Sequence, residues 1–151
     1  MGYDLYGVRA TSEKGEHFRN SVWWWHPLAE YVLDNVDIPE EERHGWHSNS
    51  GQKVSARTAT KIAKVLHAKL ASGEVKQYAE EYAKALEALP RVPCRLCQGS
   101  GKRDDDLVHG QCNACNGAGR VKDWATHYPF EEENMKEFAA FCADSGGFTI
   151  W

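Results

Sequence analysis

The sequence predicts a mostly α protein with a small β patch, an α+β fold. Three observations lead there. Residues 56–72 and 74–89 each repeat apolar side chains at three- and four-residue spacing and meet at Gly73, which reads as a helical hairpin core. The stretches 3–8 and 148–151 are apolar but too short for helices, so they read as strands from the two ends of the sequence. After the hairpin, two Cys-x-x-Cys pairs break the helical pattern with a Gly-rich segment of their own.

Taken in order, Tyr3-Asp4-Leu5-Tyr6-Gly7-Val8 alternates weakly and suits a strand. Residues 11–20 are polar around Gly15 and read as a loop. Pro27 suits the first turn of a helix, whose face Leu28, Tyr31 and Val32 would supply up to about residue 36. Residues 39–42 form an acidic turn that could start a short helical turn, and 46–51 form a loop rich in turn formers. Ser55 is an N-cap for the helix at 56–72, which carries Ala59, Ile62, Ala63, Leu66 and Leu70 before Gly73 ends it. The stripe Val75, Tyr78, Tyr82, Leu86 and Leu89 marks the second helix, stopped by Pro90. A last helix at 131–144 holds Met135, Phe138, Phe141 and Cys142 and ends at Gly146-Gly147. The expected organisation is an aromatic-rich, mainly helical domain at 1–90, a cysteine hairpin at 91–122, and a C-terminal helix and strand at 123–151 packing on the first domain.

Composition is that of a globular chain, 42% hydrophobic and 26% charged. Six Trp, six Tyr and five Phe argue against disorder, since these side chains bury the most surface. A net charge of −4 excludes a general nucleic-acid polycation. The charge is uneven: residues 91–122 hold Arg91, Arg95, Lys102, Arg103, Arg120 and Lys122 against Asp104, Asp105 and Asp106. Affinity for phosphate is therefore expected on the cysteine module, with Arg95, Lys102, Arg103 and Arg120 as contacts. No segment is apolar for the length of a membrane span, and Met1-Gly2-Tyr3-Asp4 has neither the basic start nor the apolar run of a secretory signal. Paired cysteines in such a chain point to metal binding in a reducing cytoplasm.

The pairs are Cys94-Arg95-Leu96-Cys97-Gln98-Gly99-Ser100-Gly101 and Cys112-Asn113-Ala114-Cys115-Asn116-Gly117-Ala118-Gly119, each Cys-x-x-Cys-x-Gly-x-Gly. Two intervening residues let one tight turn present both sulfurs to a tetrahedral ion at about 2.3 Å. The glycines free the backbone to take positive φ and to aim N–H groups at sulfur. The segment between Cys97 and Cys112 is long enough for a hairpin that folds the second turn onto the first, with Asp104–Asp106 solvated at its tip. One zinc ion on Cys94, Cys97, Cys112 and Cys115 is the expectation. A redox dithiol would need a single pair and leaves the duplication unexplained. Four thiolates and one divalent ion make a site of charge −2, taking the chain to about −6.

These repeats resemble those of the cysteine-rich zinc region of the DnaJ chaperone family, over residues 94–119 alone. The resemblance implies zinc ligation and the glycine geometry. That family carries four repeats and two zinc ions, so two repeats imply one ion. It also uses a His-Pro-Asp tripeptide in its co-chaperone activity, and here His26-Pro27 is followed by Leu28, so that activity does not carry over. As a whole the chain resembles a family of small proteins from bacteriophages and bacteria, which implies no particular activity.

Trp23-Trp24-Trp25 cannot all face one core from a regular element, so at least one ring is expected at the surface. Core packing is the ordinary use of such residues. The sharper reading is a ligand site of Trp23, Trp24, Trp25, His26, Trp46, His47 and Asn49, with stacking faces and polar donors. Cys142, beside Phe138 and Phe141, reads as a small core residue. No phosphate loop, metalloprotease helix or nucleophile elbow is present. The expected function is a non-enzymatic, zinc-stabilised binding protein, an accessory factor of a phage or bacterium that recognises a host or phage protein or a nucleic acid in the cytoplasm. The alternative is a small-molecule or nucleotide binder that uses the Trp-rich region to sequester a signal nucleotide. A second copy of the chain is a candidate cover for any exposed Trp.

Overall fold

Period-two alternation builds the first layer. In the computed structural model, which describes residues 1–151, strand β1 (Gly2–Gly7) turns Tyr3 and Leu5 inward and Asp4 and Tyr6 outward. Strand β2 (His17–Ser21) buries Phe18 and Asn20. Strands β3 (Gln52–Val54) and β8 (Phe148–Ile150) bury Val54, Phe148 and Ile150. The order is β2-β1-β8-β3, antiparallel throughout. The expected pairing of the terminal strands is present, with Tyr6 opposite Thr149. The sheet is twice as wide as expected because the polar segment 11–20 folds as a 3-10 turn at Glu13–Gly15 followed by β2. Phe18 between His17 and Arg19 was the alternation that marked it. At Gly7 and Gly15 the backbones approach too closely for a side chain, since a Cβ on Gly15 would overlap the Asp144 carbonyl.

The helices are α1 (Val22–Asn35), α2 (Glu40–Arg43), α3 (Ala56–Ser72), α4 (Glu74–Glu87) and α5 (Glu132–Asp144). Ser55 caps α3, its Oγ accepting from the Thr58 N–H at 3.3 Å, and Gly73 at φ 83° closes it. Asp144 and Ser145, at the end of α5, offer their carbonyls to the N–H groups of Thr11 and Arg9.

The chain divides into two compact units, residues 1–83 with 128–151, and residues 84–127. In the first, α1, α3 and α5 lie over the inner face of the sheet, and α3 and α5 pack most extensively on each other. The core is aromatic. Trp25, Trp46, Phe138, Phe141 and Phe148 are all fully buried, and their rings meet at 5.4–6.3 Å. Helices α3 and α4 meet at Gly73 as expected, but they do not pack along each other as a hairpin core; α3 packs on α5 instead. Of α4, Val75 is buried, while Tyr78 and Tyr82 pack against Tyr31 and Phe130 at the margin.

Helix α1 starts at Val22, a turn and a half before the position that Pro27 suggests, so Pro27 lies inside the helix. It has no N–H for the Trp23 carbonyl, and an interior proline costs roughly 3 kcal/mol. Starting the helix earlier puts Trp25 into the core, where its Nε1 donates to the Trp46 carbonyl at 2.6 Å and its ring stacks on Trp46. Losing a buried Trp costs about 3–5 kcal/mol, so the two effects compare and packing decides. Trp25→Ala should accordingly lower the stability of the first unit by about 3–5 kcal/mol in urea denaturation. Trp24, half-buried, should cost less than half as much when truncated. Equal losses would contradict the assignment of Trp25 alone to the core.

Candidate metal centre

Residues 84–127 have almost no apolar interior. The buried side chains are Cys94, Cys97, Cys112 and Cys115, with Val121 half-buried against them. Their four sulfurs lie within 4.8 Å of one another. Cys94 and Cys112 are 3.9 Å apart and Cys97 and Cys115 3.7 Å, far beyond a disulfide bond and close to the edge of about 3.8 Å that a tetrahedron with 2.3 Å metal–sulfur bonds requires. The four cysteines are therefore placed to hold one metal ion.

Local sequence explains that placement twice over. In each repeat the residue after the second cysteine takes a left-handed conformation, Gln98 at φ 52° and Asn116 at φ 51°, and a positive-φ glycine follows. The turns close by matched bonds, Gly99 N–H to the Cys94 carbonyl and Gly117 N–H to the Cys112 carbonyl. The next glycines point N–H groups at sulfur, Gly101 to Cys97 Sγ and Gly119 to Cys115 Sγ, both at 3.2 Å. The repeats also lock each other: the Cys94 N–H donates to the Gly119 carbonyl and the Cys112 N–H to the Gly101 carbonyl, both at 2.9 Å. A Cβ on Gly101 would sit 2.4 Å from the Gly117 carbonyl oxygen, and one on Gly119 2.3 Å from that of Gly99. Only glycine permits this mutual approach. Two short ladders flank the centre, β4 (Val92–Pro93) with β7 (Arg120–Val121) and β5 (Lys102–Asp104) with β6 (His109–Gln111).

Without a cation the sulfurs conflict. Burial opposes charge on Cys97, but the N–H groups of Gly101 and Gly99 and the facing Cys115 and Cys94 thiols more than offset it and hold the thiol down to about 6. Burial and the neighbouring sulfurs, acting against the Gly119 N–H, then push Cys115 up to about 11, since a second negative charge is disfavoured beside the first. Cys94, Cys97, Cys112 and Cys115 would hold a divalent cation as four thiolates, whose charge it would balance. Cys142 is different: it is fully desolvated in the core of the first unit, which pushes its thiol well up.

Two of the expected basic contacts are engaged inside the module. Arg103 bonds Asp105 at 2.6 Å and Asn113 at 3.0 Å, and Arg120 bonds the Arg91 carbonyl. Asp105 is a structural turn residue rather than a solvated tip charge, accepting from the N–H groups of Leu107 and Val108. Asp104 pairs with His109. Arg95 and Lys102 are exposed and make no side-chain bond.

The Trp-rich site assembles only in part. Trp25 and Trp46 are core residues, and Trp46 Nε1 is taken by the Glu42 carbonyl. Asn49 is exposed and its amide donates to the Gly2 carbonyl. What comes together at the surface is Trp23 on Tyr128 at 5.0 Å and His26 between Tyr3, His47 and Tyr128 at 4.7–5.9 Å. Trp24 is half-buried, with no place in that group. Desolvation, then the neighbouring His26, hold His47 below the usual histidine range, and Glu30 opposes them in part. Tyr3 and Tyr128 were missed because nothing in the sequence links them to residues 23–26. Comparison with protein-family models, with curated proteins and with solved structures finds no match to this chain.

Elemental analysis should find one metal equivalent per chain. Cys97→Ser should lose it and unfold residues 91–122, while far-UV circular dichroism keeps most of the helical signal, because α1, α3 and α5 have a core of their own. Two equivalents, or collapse of the helical signal, would contradict this placement.

Proposed function

We propose that the chain is a non-enzymatic binding protein in which one zinc ion holds residues 94–119 as a rigid recognition hairpin for a nucleic-acid or protein partner. The observation that carries the reading is the inversion of the module. Its interior is four sulfurs, and both of its leucines face outward. Leu96 is 60% and Leu107 86% exposed, alongside Arg95 and Lys102. A surface built this way is held for contact rather than for its own stability.

Zinc suits the donor set. A buried, tetrahedral, all-thiolate site with N–H bonds to sulfur is of the closed structural kind, and the likeness of the two Cys-x-x-Cys-x-Gly-x-Gly repeats to the DnaJ cysteine-rich region supports the same ion. Four protein ligands leave no coordination position for water or substrate, which favours a structural over a catalytic role. Resemblance to small phage and bacterial proteins supports an accessory factor acting in the cytoplasm of a bacterium or an infected cell. The nucleotide-binding alternative is weaker, because Trp25 and Trp46 serve the core and only Trp23, His26 and His47 of the expected set meet in one aromatic group with Tyr128.

The test is a mobility-shift titration with zinc-loaded protein. If the partner is nucleic acid, Arg95→Ala and Lys102→Ala should each weaken binding and reduce its salt dependence by about one charge. Arg103→Ala should instead loosen the hairpin, since its guanidinium is engaged by Asp105 and Asn113. Absence of any shift at low salt rejects the nucleic-acid partner and leaves the protein one.

A further inference from the structure

The outer face of the four-stranded sheet is not used by the core, since Tyr3, Leu5, Phe18, Phe148 and Ile150 all point to the inner one. Alternation puts one large ring on each of the two central strands: Tyr6 on β1, 48% exposed, and Trp151 directly after β8, 52% exposed. Tyr6 lies opposite Thr149, and Asp4 exchanges two backbone bonds with Trp151 at 2.7 and 2.8 Å. The rings are therefore diagonal cross-strand neighbours, about 7–8 Å apart at the backbone.

Both rings are braced. Tyr6 stacks on His17 of β2 at 4.9 Å and 23°. Trp151 lies over Gly51, where an added Cβ would come 2.7 Å from the ring, and its Nε1 donates to Thr149 Oγ1 at 3.1 Å. Cations flank the pair on both edge strands. Arg19 of β2 has a side chain 68% exposed, and Lys53 of β3, opposite Thr149, is exposed and makes no ion pair. Asp4 is already held by His17 at 2.8 Å and Arg19 at 3.7 Å, and Glu41 and Glu42 line the hollow that Lys53 shares with Thr149.

We propose that this face binds single-stranded nucleic acid, with two bases stacked on Tyr6 and Trp151 and the adjoining phosphates drawn to Arg19 and Lys53. Flat rings set apart by the polar Asp4 and Thr149, with Val8 exposed beyond Tyr6, give little continuous apolar surface for a protein partner. They do offer π-faces at the spacing of splayed bases, with positive charge on both sides. The site lies in the first unit, away in sequence from the zinc hairpin, and stands whether or not that hairpin binds nucleic acid.

Fluorescence anisotropy of a labelled short oligothymidylate, titrated with the zinc-loaded full chain at low salt, tests it. Tyr6→Ala and Trp151→Ala should each weaken binding about tenfold, within the range expected for loss of one stacked base. Tyr6→Phe, which keeps the π-face, should bind nearly as the parent does. Arg19→Gln with Lys53→Gln should flatten the salt dependence without disturbing the stacked rings. A duplex of the same length should bind more weakly, because its bases are not available to stack. No binding, a duplex held as tightly, or unchanged affinity in both alanine variants would overturn the proposal. Loss of binding in Arg95→Ala with none in Tyr6→Ala would place the contact on the hairpin and refute the sheet face alone.

Discussion

Four buried sulfurs within 4.8 Å of one another are the constraint around which residues 84–127 are built. That unit has no hydrophobic centre to fall back on; Val121 is the one apolar side chain packed against the cysteines. Its fold is set by backbone geometry, through four consecutive demands in each repeat: a cysteine pair, a left-handed residue, a glycine to close the turn, and a second glycine whose N–H meets sulfur. Because the two repeats exchange bonds at Cys94, Gly101, Cys112 and Gly119, neither can hold its shape without the other. With an ion held by all four cysteines, metal affinity and folding of this unit would be the same free energy.

The larger unit is governed by a different economy. Its core is a set of rings meeting edge to face and offset, and the two indole N–H groups within it are satisfied by the Trp46 and Glu42 carbonyls. No buried side-chain polar atom lacks a partner. With α1, α3 and α5 committed to one face of the sheet, the opposite face keeps its aromatic and basic side chains in solvent.

Much of this was legible in the sequence. The boundaries of α3 followed from Ser55 and Gly73, because capping chemistry is local. The ligand set followed from spacing, because two residues between cysteines leave few ways to bind one ion. The strand after Gly15 was hidden by its polarity: only Phe18 and Asn20 face inward, and Asn20 is buried through its bond to Asn134, far along the chain. The early start of α1 was hidden by Pro27, whose local cost is outweighed by the contact of Trp25 with Trp46. The ligand site built on residues 23–26 and 46–49 failed to assemble in full for the same reason, since the rings that looked available for stacking were those the core required. The roles of Arg103 and Asp105 could not be read because they depend on the turn that Asp105 closes at Leu107 and Val108 and on the fold that brings Asn113 to Arg103, not on composition.

The central claim is that one zinc ion, held by four thiolates, organises the module. X-ray absorption at the zinc edge of the purified protein measures this most directly. A single shell of four sulfur scatterers at about 2.3 Å is the expected result. A shell containing nitrogen or oxygen, or fewer than four sulfurs, would contradict it, because it would mean that at least one of Cys94, Cys97, Cys112 and Cys115 lies outside the site that the repeats define.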